Sequence, residues 1–300
     1  MSDEFEFHAR LRRLATHPGA HGLLDDAATL DGLVLTTDTL VEGVHYLATD
    51  PPASVGWKLA AVNLSDLAAK GATPAGCLLN YALSGDDDWD AAFLDGLGEA
   101  LERYAMPLLG GDTVAGTRSH SLTAIGRAAD PPSRSGAQAG DALWVTGTIG
   151  DAGAGLAIAR GGEGPAELLE RYRRPRPRLA EGLALAPHVH AMMDVSDGLL
   201  LDASRMAAAS GLAVAIDLAR VPLSPHLTDA LAATTAGDDY ELLFAAPPEF
   251  VPPVPATRIA GFAAGEGLTL SRDSARVPLP AALGYLHRTQ PGLRSPSPSL

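Results

Sequence analysis

Blocks of apolar and polar residues along this chain predict short strands and helices in turn. The most unusual block is Lys58 to Pro74, KLAAVNLSDLAAKGATP. Asn63, Asp66 and Lys70 recur at helical three- and four-residue spacing and so share one side. The other positions are small or apolar, among them Ala60, Val62, Leu64, Leu67, Ala68 and Ala69. Such a helix can be buried on nearly all sides, and its alanines let neighbouring backbone come close. Gly71 closes it and Pro74 prevents its resumption. One carboxylate, Asp66, stands in its middle, where it is costly unless paired or bound to a metal. The residues leave two readings open, a core helix whose Asn63 and Asp66 cap a neighbouring turn, or a metal site.

Before this helix, Glu6 to Ala15 has the pattern of a short amphipathic helix, and a turn-rich loop follows through His17, Pro18, Gly19 and Gly22. Leu33 to Thr37 (LVLTT) predicts a strand running into Asp38. After the helix, Gly76 to Leu83 predicts a strand, and Asp88 to Tyr104 a helix whose leading acids suit its dipole. Pro107 to Leu109 predicts a short strand ending in Gly110-Gly111-Asp112-Thr113, and Ser119 to Arg127 alternates as a strand does. Residues 130–141 (DPPSRSGAQAGD) are turn and linker chemistry, which divides the chain into domains at 1–135 and 136–300. Beyond it, Ala142 to Thr146, Ala191 to Val195, Leu212 to Leu218 and Tyr240 to Ala245 predict strands. Helices are predicted from Gly150-Asp151 to Ala159 and from Gly198 to Ser210. The basic run Arg171 to Arg178 (RYRRPRPR) reads as a solvated loop, and the proline- and serine-rich tail after Arg288 as disordered. The fold class is α/β or mixed α+β, with a sheet order that the pattern does not encode.

Composition narrows the function. A chain of 300 residues with 46% apolar content suits about two globular domains with a substantial core. A net charge of −14 argues against nucleic acid or anionic membrane as a main partner. No apolar run approaches the length of a membrane span, and the acidic N-terminus does not resemble a targeting signal. The single cysteine, Cys77, excludes an internal disulfide and a cysteine-based zinc site, so a cytoplasmic protein is expected. Only two of the 22 basic residues are lysines, Lys58 and Lys70. Any phosphate handled here must be gripped by arginine, backbone amides or metal.

The acids carry the chemistry. Asp26, Asp38, Asp66, Asp112, Asp194, Asp197 and Asp238 mostly stand at strand ends or beside glycines, where a carboxylate can project into a cleft. They are expected to lack the Lys or Arg neighbours of solvated surface acids. If several converge, repulsion forbids the site unless cations neutralise it. Oxygen-only donors with no cysteine or paired histidine point to Mg²⁺, which with a few carboxylates most often serves a nucleotide phosphate. There is no GxxxxGK[ST] loop and no kinase HRDxxxxN sequence. Gly150, Gly153 and Gly155 do not complete a dinucleotide fingerprint and suit helix packing. His188 and His190 have no further ligands around them and read as a surface or strand-edge pair. The residues by themselves imply a magnesium-dependent enzyme of phosphate chemistry.

Longer runs carry a resemblance. Asp25-Asp26-Ala27, Thr36-Thr37-Asp38-Thr39-Leu40-Val41-Glu42-Gly43-Val44-His45 and Val62 to Ala69 (VNLSDLAA) are similar to blocks of the thiamine-monophosphate kinase family. So are Gly110-Gly111-Asp112-Thr113, Ser133 to Gly136 (SRSG), Trp144 to Thr148 (WVTGT), Asp194 to Leu199 (DVSDGL) and Gly237 to Leu242 (GDDYEL). They keep the family's order over nearly the whole chain. The aspartates alone are shared with the wider superfamily of aminoimidazole ribonucleotide synthetase and selenophosphate synthetase, whereas LVEGVH and GDDYEL favour the thiamine enzyme.

The resemblance implies a two-domain aminoimidazole ribonucleotide synthetase-like fold whose N-terminal domains pair into a homodimer. It implies transfer of the ATP γ-phosphate to thiamine monophosphate. Position by position, it implies Asp26, Thr36, Thr37, Asp38, Asp66, Asp112, Asp194 and Asp197 as the Mg²⁺ set. Gly111, Asp112, Arg134 and Ser196 resemble nucleotide contacts, and His45, Asp238 and Tyr285 substrate contacts. Two departures stand out. Leu24 occupies the place of a glycine usually found before the acidic pair, with Gly22 two residues back, and Asp238 stands where the family commonly has Glu. No catalytic acid or base is assigned, because a phosphate acceptor brings its own anionic oxygen. Two other readings compete: a relative acting on a different acceptor, and a noncatalytic nucleotide or thiamine-phosphate sensor. Retention of all the acids speaks against the sensor.

Overall fold

The computed structural model describes residues 4–287. The first three residues and the tail from 288, including the segment expected to be disordered, lie outside the described residues. After α1 (Glu4–Leu11), the chain forms β1 (Ala28–Leu30) and β2 (Leu33–Val41), then the central helix α2 (Pro52–Ala69). Pro52 starts α2, where its missing N–H costs nothing. From Val55 to Ala69 every residue of α2 is buried except Asp66. Its apolar content and many alanines give it no solvent face, and the chain itself covers it. No second copy is needed to bury it.

β3 (Thr73–Leu83), α3 (Asp87–Arg103), β4 (Leu108–Ala115) and β5 (Ser119–Arg127) complete the first layer. The sheet order is β1-β2-β5-β3-β4, with β3 and β4 parallel and joined through α3. Asp86 caps α3 by accepting from the backbone N–H groups of Asp88 and Trp89. Helices α2 and α3 cross through paired glycines. A Cβ on Gly96 would stand 1.8 Å from the Ala53 carbonyl oxygen, and one on Gly56 2.0 Å from that of Phe93. β4 extends well past the predicted Leu109, because Gly111 lets it lie against β3: a Cβ there would sit 1.8 Å from the Leu79 carbonyl oxygen.

The second layer holds β6 (Ala142–Thr146), β7 (Ala191–Asp194), β8 (Leu212–Asp217), β9 (Leu242–Ala246), β10 (Ala256–Ala264), β11 (Gly267–Arg272) and β12 (Ala275–Val277). Their order is β12-β11-β8-β10-β6-β9-β7, with β8 and β11 paired parallel and the other neighbours antiparallel. Five helices accompany it: α4 (Asp151–Ala159), α5 (Ala166–Arg173), α6 (Leu179–Leu185), α7 (Leu199–Ser210) and α8 (Ala230–Thr235). β9 begins at Leu242, two residues later than the pattern predicts, because Asp238 and Tyr240 hold positive φ angles of 70° and 52°. Gly150, Gly153 and Gly155 serve packing, as their spacing suggests: a Cβ at Gly155 would meet the Leu168 carbonyl oxygen at 2.0 Å.

α2 also joins the two layers. Ala68 and Ala69 share a buried cluster with Leu185, Met192, Leu242 and Phe244. The run from Arg171 to Arg178 belongs to this seam and is not a solvated loop. The Tyr172 hydroxyl donates to Asp50 Oδ2 at 2.8 Å and Arg173 Nε to Asp50 Oδ1 at 3.0 Å. The Arg174 guanidinium lies 4.1 Å from the centre of the Trp57 ring, and Arg178 Nε donates to Glu241 Oε2 at 2.7 Å. Arg173, Arg174 and Arg178 each meet an acid or a ring far away in the chain, which local charge density does not reveal. No helix among the described residues is long and apolar enough to cross a membrane.

Candidate active site

Between the layers lies a cleft of about 1340 Å³, with Asp26, Asp38, Asp66, Asp194, Asp197 and Asp238 in its wall. Strand alternation and helical spacing bring these acids together. On β2, Thr36 and Asp38 point the same way, towards α2. The Thr36 hydroxyl donates to Asp66 Oδ2, and the backbone N–H of Asp38 donates to Asn63 Oδ1 at 3.0 Å. Asn63 in turn donates to the Leu59 carbonyl at 2.9 Å. The polar side of α2 therefore faces β2 and the cleft. Asp194 ends β7, and its Oδ2 accepts from Ser65 at 2.5 Å.

The remaining acids carry cations, contrary to the expectation that they stand away from Lys and Arg. Lys70, 2% exposed, pairs with Asp25 and lies 2.9 Å from Asp26 Oδ2. Arg134 donates to Asp26 Oδ1 through Nε at 3.1 Å and through its terminal nitrogen. Arg205 bridges Asp197 and Asp202, and Asp202 Oδ2 accepts the backbone N–H groups of Asp197 and Gly198 at 3.0 and 3.1 Å. Lys58 donates to Asp238 Oδ2 at 2.7 Å.

This division shows in the proton affinities. Burial pushes the Asp66 carboxyl well above the carboxylate range, and Asp38, Asp194 and Asp26 push it further. Burial likewise raises Asp194 well above that range, with Asp26 adding to it. Asp38 rises to about 6 through burial and then through Asp197 and Asp26. Burial alone would raise Asp26 as well, but Lys70 and Arg134 outweigh it and hold this carboxyl at about 2. The cleft thus has an unbalanced anionic centre, Asp38, Asp66 and Asp194, flanked by balanced pairs.

His45 lines the cleft, and its Nδ1 accepts the Val41 N–H at 3.0 Å, so Nε2 carries the proton of the neutral ring. Burial, followed by the nearby His287, lowers its pKa. Ser196, Tyr285 and Arg134 also line the cleft. Leu24 takes an ordinary φ of −115°, and the left-handed residues of this loop are His21, Gly22 and Leu23, so Leu24 needs no glycine. Across GDDYEL the side chains divide. Asp238 enters the cleft, while Asp239 Oδ2 accepts the N–H of Gly150 at the start of α4 at 2.8 Å. The Tyr240 hydroxyl donates to Asp238 at 3.1 Å, and Glu241 turns to Thr146 and Arg178.

Three of the predicted residues lie elsewhere. Thr37 is on the opposite face of β2 from Thr36 and Asp38, its hydroxyl near Leu122 and Thr123. Gly111 and Asp112 are on β4, where every residue is exposed. Asp38 pairs across to Leu122, Leu122 to Leu79 and Leu79 to Gly111. Asp38 and the Gly111–Asp112 segment are therefore three strand spacings apart, about 14 Å at ~4.8 Å per strand. Lys58, Asp202 and Arg205 were not among the predicted residues. The only early sign of them is a lysine in an apolar helix and an Asp–Arg pair three residues apart on α7.

The acid-lined cleft lies between a five- and a seven-stranded layer, and the strands of the first layer and those from β6 to β9 of the second fall within domains of the AIR synthase related class. The profile of the AIR synthase related protein N-terminal domain matches residues 24–128, and that of the C-terminal domain residues 138–257. The chain is 39% identical over 320 residues to the thiamine-monophosphate kinase of Caulobacter vibrioides, covering 95% of this chain and 90% of that protein. It is 41% identical over 250 residues to that of Escherichia coli K12, covering 75% and 76%. It superposes on the complex of AaThiL with AMPPCP and TMP with a TM-score of 0.85, at 30% identity over 95% of this chain and 97% of that one. The chain belongs to the thiamine-monophosphate kinase family.

Proposed function

We propose that this chain transfers the γ-phosphate of ATP to thiamine monophosphate, giving thiamine diphosphate and ADP. The observation that carries this reading is the unbalanced anionic centre of Asp38, Asp66 and Asp194 in the same cleft as His45, Asp238 and Tyr285. Relatives of this identity are thiamine-monophosphate kinases, and AaThiL has been seen with an ATP analogue and TMP.

The donor set fits magnesium. Its side-chain ligands are all oxygens, and burial together with neighbouring carboxylates raises Asp38, Asp66 and Asp194, with His287 opposing this at Asp38. Asp26, Thr36, Asp38, Asp66, Asp194 and Asp197 would hold the ion. When bound, magnesium neutralises charge on the phosphoryl oxygens and helps to align them. Arg134 and Ser196 would contact the nucleotide. His45 offers a neutral Nε2–H to the acceptor, and Tyr285 offers a ring face. No side chain needs to remove a proton, because the attacking phosphate oxygen is already largely ionised at neutral pH.

Gly111 and Asp112 stand too far from this centre to share its cations within one chain, and the Thr37 hydroxyl leaves β2 on the opposite face. The outer sheet face that carries Thr37 and Asp112 also carries the exposed side chains of Leu78 and Val114. β4 is an unpaired edge strand, a surface that proteins usually cover. These features support a homodimer formed through the first layer, and the Gly111–Asp112 segment joins the nucleotide site through that pairing. The domain boundary falls at 135/136, and the single buried Cys77 is in keeping with a cytoplasmic setting.

A coupled ADP-release assay with thiamine monophosphate, thiamine and no acceptor, each at saturating Mg²⁺ and ATP, tests this reading. ADP should appear at an appreciable rate only with the monophosphate. Comparable turnover of thiamine, or none with either acceptor, would overturn it.

A further inference from the structure

The Lys58 ammonium group is 2% exposed and is held by three partners. It donates to Asp238 Oδ2 at 2.7 Å and to the His45 carbonyl at 3.1 Å, and it lies 4.3 Å from the centre of the Tyr172 ring. Asp238 and His45 come from different layers and from opposite ends of the chain, and both line the cleft. One buried cation therefore joins the backbone of one acceptor-side residue to the side chain of the other. The second oxygen of Asp238 accepts from the Tyr240 hydroxyl at 3.1 Å, so neither oxygen is free to turn. Asp238 and Tyr240 both hold left-handed backbone angles, which are uncommon away from glycine and persist only where surrounding contacts over-determine them.

We infer that Lys58 is a positioning residue for the acceptor site, fixing the distance and direction between Asp238 and His45 across the two layers. This rests on the proposed acceptor role of those two residues. Lys58 also compensates for the short side chain at 238. An aspartate held on both oxygens presents a fixed acceptor edge, which an unanchored carboxylate would not. Because Lys58 already balances its charge, Asp238 meets the acceptor as part of a neutral pair. Ring recognition at this end thus depends on shape and hydrogen bonding more than on a bare negative charge. Asp238 also donates its backbone N–H to the Ser196 carbonyl at 2.8 Å, but Lys58 holds the side chain and not that main-chain bond, so its loss should act on the acceptor more than on the nucleotide.

Steady-state kinetics and calorimetric binding of thiamine monophosphate to wild type, Lys58→Met, Asp238→Asn and the double variant test this. Lys58→Met should raise KM and Kd for thiamine monophosphate about tenfold or more while the KM for ATP stays within about twofold. The double variant should be no worse than the poorer single variant, since the two groups act as one unit. Equal changes in both KM values, unchanged acceptor binding, or additive losses in the double variant would overturn the inference. If Lys58→Met does not fold, the double variant removes both buried charges together, and Tyr240→Phe releases only the second oxygen. Acceptor binding in those two proteins that matches wild type would then be the contrary result. A wild-type protein without activity on thiamine monophosphate would instead count against the proposed reaction, and the binding measurements would still report on Lys58.

Discussion

The Ser65 hydroxyl on α2 donates to Asp194 Oδ2 at the end of β7 across 2.5 Å, and both residues are buried. This contact ties the central helix to the second layer at the point where the unbalanced acids meet. Burial raises the Asp194 carboxyl, nearby Asp26 raises it more, and Ser65 is the group that opposes them.

Ser65→Ala should therefore act on both stability and metal response. It removes a buried donor, so the melting temperature should fall by an amount corresponding to about 1–2 kcal/mol. It also makes Asp194 harder to ionise, so half-maximal activity should need more Mg²⁺. Thermal melts and a Mg²⁺ titration read the two effects separately, and a variant unchanged in both would show the contact to be incidental.

Asp66→Asn should separate function from folding. The substitution keeps the shape of the side chain and relieves repulsion among Asp38, Asp66 and Asp194. The metal-free protein should melt no lower than wild type, whereas turnover should fall by about 100-fold or more, equivalent to ~3 kcal/mol of lost transition-state stabilisation. Mg²⁺ should raise the melting temperature of wild type more than that of the variant. Wild-type turnover at ordinary Mg²⁺ would make Asp66 a structural residue.

Much of this site is visible in the sequence because its parts are local. The burial of α2, the position of Asp66 within it and the approach of β2 to Asp38 follow from periodicity over fewer than twenty residues. Strand alternation also explains why Thr36 and Thr37 part company, since neighbours in a strand cannot face the same way. The charge balance was not visible. Lys58 reaches Asp238 and Lys70 reaches Asp25 and Asp26 only after the chain has folded, and no local pattern encodes such pairings. The run from Arg171 to Arg178 misleads for the same reason: Arg173, Arg174 and Arg178 are half-buried against partners contributed by distant segments. Gly111 and Asp112 follow the family's motif in sequence, yet the strand order sets them three strands away from Asp38.

Val114→Arg should show whether the outer face of the first layer pairs copies of the chain. Val114 is 52% exposed on β4, so an arginine fits there without disturbing the core. Wild type should scatter light as a dimer at micromolar concentration, and the variant should scatter as a monomer with an unchanged circular dichroism spectrum. If Gly111 and Asp112 join the site through pairing, the variant should also lose affinity for ATP. A monomeric wild type would remove this part of the proposal.

His120 should make the first layer sensitive to acid. Its ring is fully buried, with ring centres of Tyr81, Phe93 and Trp89 at 4.6, 4.9 and 5.6 Å. Neither ring nitrogen has a hydrogen-bond partner among the described residues. Burial lowers its pKa to about 4, with Arg118 acting in the same sense and Asp90 and Glu42 against it. In the unfolded chain the ring titrates near 6.5. Between these values the unfolded state holds a proton that the folded state refuses, so stability falls as pH drops from above 6.5 towards 4. At pH 5 the loss from this one group is about 2 kcal/mol, from roughly 1.4 kcal/mol per pH unit over the part of the window already crossed. His120→Phe keeps a flat ring among the aromatic neighbours and removes the titration. Urea unfolding at pH 7.5 and pH 5 should show the variant losing about 2 kcal/mol less than wild type over that interval. Comparing the two proteins cancels the opposite contribution of the raised acids in the cleft, which favour the folded state as pH falls. Identical pH dependence in both would show that His120 is not protonated on unfolding in this range.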